Sequence, residues 1–160
     1  MKFKYILTFL FISLMYWQGI SQNTTDIRVF DYEDRTEFSQ YEQLNLDKDH
    51  PNLLNPEISK NEMDKVIASW TELHQNIGQY LQENDFEWQV EDSEIMIVHK
   101  FYFNPDGSIH SYFFKMLNEG ISASQRKKYS ELVTEFAKTQ KIGLTKDFQF
   151  AQCGKTKYPN

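Results

Sequence analysis

Five side chains carry the chemistry that most often builds an active site: His50, His74, His99, His110 and the single cysteine, Cys153. A thiol nucleophile needs a base to take its proton, and a zinc ion needs three or four nitrogen, sulfur or carboxylate ligands. The spacing of these residues supports neither strongly. No His-Glu-x-x-His, no cysteine pair and no Asp-x-Asp-x-Asp-Gly run occurs. His50 falls in a loop by composition, and His74 sits one step off a helical stripe. His99 and His110 fall on opposite faces of the hairpin described below, so no shared metal and no cofactor is expected. Asp31, Glu33 and Asp34, with Asp26 nearby, have the composition of a calcium loop and equally of a solvated acidic loop, which is the reading adopted. Cys153 has histidines elsewhere in the chain, the minimum for a thiol-dependent hydrolase. Gln152-Cys153-Gly154 forms no known nucleophile signature, and a lone cysteine permits no disulfide within the chain.

The elements that must position these groups centre on Ile95–Leu117. This apolar run is divided by Asn104-Pro105-Asp106-Gly107. Pro fixes φ and Gly accepts a positive φ, so the run predicts a β-hairpin. Counting outward from the turn pairs Phe103 with Ile109, Phe101 with Ser111, His99 with Phe113 and Ile97 with Lys115. One face then carries Ile95, Ile97, His99, Phe101, Phe103, Ile109, Phe113 and Leu117, and is the expected core. The other carries Met96, Val98, Lys100, Tyr102, His110, Tyr112, Phe114 and Met116. Val98, Lys100, Tyr102, His110, Tyr112 and Phe114 on this second face are the candidate binding surface, unless residues 26–46 fold over them.

A helix is expected from Glu57 or Lys60 to Glu83, on the stripe Met63, Val66, Ile67, Trp70, Leu73, Ile77, Tyr80 and Leu81, opened by Asn55-Pro56 or by Ser59 as a cap. Ser122-Ala-Ser-Gln125 caps a second helix ending near Lys141, with Gly143 as its stop. Phe148–Cys153 is a closing strand. Phe38, Tyr41 and Leu44 suggest a short helix early in the chain, after a short strand at Asp26–Tyr32. The expected fold is α+β: an antiparallel sheet on a central hairpin, with two helices on one face in the order helix-β-β-helix-β.

The first 21 residues stand apart. Lys2 and Lys4 precede the apolar run Tyr5–Trp17, and Gly19-Ile20-Ser21 supplies small residues before Gln22. This is a secretory signal pattern, too short for a membrane span of about 20 apolar residues. The domain plan is a signal peptide at 1–21, an acidic entry segment at 22–55 and one α+β domain at 56–160. The chain carries a net charge of −6, which together with export excludes nucleic acid as a natural partner. Contact with the membrane is expected only through the removed leader, and the location is periplasmic or extracellular.

Over residues 70–160 the order and the turn resemble the TonB C-terminal domain of bacterial envelope proteins. The matching pieces are Ile77–Leu81, Ile95–Phe103, Asn104-Pro105-Asp106-Gly107-Ser108-Ile109, Tyr129–Ala137 and Gly154-Lys155. The family's Trp-x-Pro near the end of the second helix is replaced here by Lys141-Ile-Gly-Leu144. The Pro-rich spacer of energy transducers is missing as well. The resemblance implies a freestanding, non-catalytic binding or accessory module whose partner is another envelope protein. A carrier of small apolar ligands, and a hydrolase using Cys153, are the alternatives.

Overall fold

The computed structural model describes residues 27–160, so the expected leader and Asp26 lie outside the described residues. The elements are β1 (Arg28–Asp31), α1 (Arg35–Leu44), a short 3-10 turn (Leu46–Lys48), α2 (Met63–Glu83), β2 (Glu94–Phe103), β3 (Ile109–Met116), α3 (Ala123–Thr139) and β4 (Phe150–Pro159). The strands form one sheet in the order β1-β3-β2-β4. β2 pairs antiparallel with both β3 and β4, as a hairpin and a returning strand must. β1 runs parallel to β3, so the sheet is mixed and not purely antiparallel. Residues 27–55, read from sequence as an entry segment, thus supply an edge strand and a helix to the same fold. No helix among the described residues is long and apolar enough to cross a membrane.

The turn forms as its residues require. Gly107 sits at φ 81°, and its N–H donates to the Asn104 carbonyl at 2.9 Å. A Cβ here would lie 2.6 Å from the Leu144 carbonyl oxygen and 2.7 Å from that of Ile142. Only glycine fits, on backbone conformation and on space.

The register departs from expectation one step beyond the turn. Phe103 pairs with Ile109, but Tyr102 pairs with Ser111 and Phe101 with Tyr112. His110 is therefore the extra residue of a β-bulge. A one-residue slip moves every later side chain of β3 to the other face. Tyr112, Phe114 and Met116 enter the core, with Tyr112 and Phe114 fully buried. Phe113 and Lys115 turn to the second face. The slip removes a real conflict, because the unbulged register would have put Lys115 on the core side opposite Ile97.

α2 and α3 cover the core face. Val66, Leu73, Ile77 and Leu81 of α2 meet Tyr129, Val133 and Phe136 of α3 over the sheet residues Ile95, Ile97, Phe101 and Tyr112. α2 begins later than expected. Asn55 accepts from Glu57 N–H through its side chain, which makes Asn55–Glu62 a run of turns, and Ser59 is buried without capping anything. Ser122 does cap α3, accepting from Gln125 N–H at 3.2 Å. Gln125 does not reciprocate; its amide donates to the Glu87 carbonyl. α3 stops at Thr139 with Gln140 extended, because the following chain bridges back to the hairpin turn at Ser108 and Lys141. β4 does not end at Cys153. It continues through Gly154, whose missing side chain lets the Trp70 ring lie on the sheet; a Cβ would come within 3.0 Å of that ring.

Candidate functional site

The second hairpin face is covered by α1 and the segment that follows it. Tyr41 stacks on Phe113 with ring centroids 4.4 Å apart, and Phe38 packs beside the same ring at 6.1 Å. Tyr102 is fully buried. Its hydroxyl donates to Asp47 Oδ1 at 2.7 Å and takes a bond from the Tyr41 hydroxyl at 2.7 Å. Burial, then these two hydrogen bonds, push the Tyr102 phenol above its ordinary range. Lys100 donates to Asp47 Oδ2 at 2.5 Å. Burial alone would raise the Asp47 carboxyl, but the bonds from Lys100 and Tyr102 outweigh it and hold the group low. His50 and His110 are drawn together, with their Nε2 atoms 2.8 Å apart.

Of the six candidate surface residues, Val98, Lys100, Tyr102 and His110 do share this face. Tyr112 and Phe114 do not, because the bulge turns them inward. Val98 and Lys100 are half-buried, and the aromatic strip is closed off within the chain.

On the core face a polar chain threads the apolar packing. His99 Nδ1 meets the Tyr112 hydroxyl at 2.6 Å, and that hydroxyl meets Tyr129's at 2.8 Å. His99 Nε2 meets Thr156 Oγ1 at 2.7 Å. His74 Nδ1 meets the Tyr158 hydroxyl at 2.6 Å, and the His74 and His99 imidazoles lie tilted at 55° with centroids 4.3 Å apart. Burial pushes His74 down to about 3. Burial, and then the neighbouring His74, hold His99 well below its ordinary value. Both rings are therefore neutral across the physiological range. A general base works best with a pKa near the working pH, and neither ring is tuned to that range. Among the described residues no group of three or more His, Cys, Asp or Glu is placed to hold a metal. Asp31 pairs with Arg126 at 2.7 Å and Asp34 caps α1, so these two carboxylates of the acidic run hold structure.

Cys153 lies across the ladder from Lys100. Its sulfur makes no hydrogen bond to a histidine among the described residues, and burial pushes its thiol up. The thiolate, the reactive species, is disfavoured there.

Sequence reasoning missed an open groove of about 800 Å³ between α2 and the end of β4. Trp70, His74, Gly78 and Gln82 line the helix side. Phe86, Trp88 and Tyr158 form the deeper apolar wall, and Gln75, Gln79 and Asn160 offer amides at the rim. β4 is the sheet's edge strand. Its outer edge is occupied at the start, where Ala151 N–H donates to the Pro51 carbonyl and Leu53 N–H to the Ala151 carbonyl. The Asn52 side chain then takes Cys153 N–H at 3.1 Å. Ladder groups alternate in direction along a strand, so those of Lys155 and Lys157 also face outward, and among the described residues no backbone partner meets them there. Pro159 has no N–H to offer. The signal for this groove was the length of β4, which Gly154 concealed by suggesting that the strand had ended.

Comparison with known proteins found no matching family model, no similar curated protein and no similar solved structure.

Proposed function

We propose that this chain is a non-catalytic binding module, exported to the bacterial envelope as a freestanding relative of the TonB C-terminal type, and that it takes an extended segment of a partner protein along the open end of β4. The observation that carries this reading is the pair of outward, unpartnered backbone positions at Lys155 and Lys157 beside a groove walled by α2. An added strand would satisfy those groups and lay alternate side chains into the groove. The hairpin's second face is not the docking surface in this reading, since α1 already covers it.

The test uses Lys157→Pro. Proline there removes one outward N–H and leaves every bond to β2 in place. Peptides selected from a random library on the wild-type protein should shift backbone amide signals at Lys155–Tyr158 and along α2. They should bind the Pro variant at least tenfold more weakly. Equal binding by both proteins refutes the edge-strand reading.

The size and aromatic lining of the groove favour a second reading, a carrier of small apolar ligands. A lipophilic fluorescent probe that saturates at one per chain and is unaffected by Lys157→Pro would favour it. Neither reading uses Cys153.

A further inference from the structure

We propose that His50 and His110 form a two-histidine site for a late first-row divalent cation, with Cu²⁺ fitting best, and that the bound ion fastens the covering segment to the hairpin. Their Nε2 atoms lie 2.8 Å apart in a ring-to-ring hydrogen bond, although the residues come from a loop and a strand far apart in sequence, and an ion that replaces the proton between them would tilt both rings off that line. At metal–nitrogen distances of about 2.0–2.1 Å, that separation subtends about 85–90° at an ion. Adjacent positions of a square-planar or tetragonal site require this angle, and Cu²⁺ and Ni²⁺ prefer that geometry. Tetrahedral Zn²⁺ would need the nitrogens about 3.3 Å apart.

The outer ring nitrogens are already placed as metal-binding histidines need them. His50 Nδ1 lies 2.6 Å from the Leu46 carbonyl, which can only accept, so Nδ1 carries the proton and Nε2 has a free lone pair. His110 Nδ1 lies 2.9 Å from Ser111 Oγ. Without a metal the single proton between the rings sits on His110 Nε2, and the Ser111 hydroxyl donates to His110 Nδ1. With a metal, His110 shifts its proton to Nδ1 and the hydroxyl turns to accept it. The exchange moves one proton from Nε2 to Nδ1 of His110 and needs no net proton. His110 is also the bulged residue of β3, the one position whose side chain is re-aimed out of the regular ladder. His50 is buried but His110 is half-exposed, so an ion can enter and water can complete its coordination.

The experiment uses the full chain in chelator-treated buffer, titrated with Cu²⁺, with His110→Ala alongside. The wild type is expected to take one equivalent at micromolar affinity or tighter, to show two imidazole nitrogens in the electron paramagnetic resonance spectrum, and to melt at a higher temperature with the ion than without. His110→Ala, folded by circular dichroism, should bind at least tenfold more weakly and show no melting shift. Equal affinity in the two proteins, a spectrum with fewer than two nitrogens, or no melting shift in the wild type overturns the proposal. If Zn²⁺ raises the wild-type melting point and Cu²⁺ does not, the assigned geometry is refuted.

Discussion

Acid should destabilise this protein well before its carboxylates are protonated. His74 is held near 3 by burial, against an unfolded value of about 6.5. Below pH 6.5 the unfolded chain therefore binds a proton that the folded chain refuses. Stability contributed by the neutral ring is complete above about pH 6.5 and is lost progressively as pH falls from there toward 3. Between pH 7 and pH 5 the loss from His74 alone is about 2 kcal/mol. His99, fully buried and shifted the same way, adds a loss in the same direction. A small domain has only about 5–15 kcal/mol in total, so the effect is large. Urea unfolding followed by tryptophan fluorescence at pH 7.5, 6 and 5, with chelator present, measures it. The midpoint should fall steadily across this series at constant slope against urea. His74→Phe should be less stable at pH 7.5, because it strands the Tyr158 hydroxyl, yet it should lose less on acidification. A flat profile in the wild type, or the same acid loss in His74→Phe, would refute the argument.

Gly107→Ala should cost about 2–4 kcal/mol, from a left-handed backbone of about 1–2 kcal/mol and from overlap with the Ile142 and Leu144 carbonyls; chemical denaturation reads this directly. Cys153 should react with a small disulfide reagent at pH 7.5 more slowly than free cysteine does, since burial raises its thiol. A rate above that of free cysteine would reopen the thiol-nucleophile reading.

Much of the architecture was legible because local chemistry and the global fold agree. Asn104–Gly107 could be read as a turn from Pro and Gly alone, and Ser122 as a cap from its place before an amphipathic stripe. The α+β class followed from the order of periodic segments. The parallel pairing of β1 was not legible, since its partner is chosen by long-range packing and four residues carry no directional signal. The bulge was the costly omission. His110-Ser111 puts two polar residues in succession, and Lys115 falls on the core side unless one of them is skipped. Reading that conflict as a skipped residue would have moved Tyr112 and Phe114 inside. The covering role of α1 was legible in part: Phe38 and Tyr41 share one helical face, but nothing in their spacing says which sheet face they meet. For the groove the length of β4 was a partial signal, but where α2 lies relative to the edge of β4 is not written in the sequence.

The parallel seam between Arg28–Asp31 and Ser111–Phe114 also sets the order in which this molecule can assemble. The hairpin can form from local contacts as soon as its residues are available. β1 cannot dock until β3 exists, nor can α1 bury Phe113 or Tyr102 before then. Made first, the N-terminal segment must wait for most of the chain. Closing so long a loop is slow, and until it closes the aromatic strip on the hairpin stays open to solvent. The interval before β1 docks is when the chain is most prone to self-association.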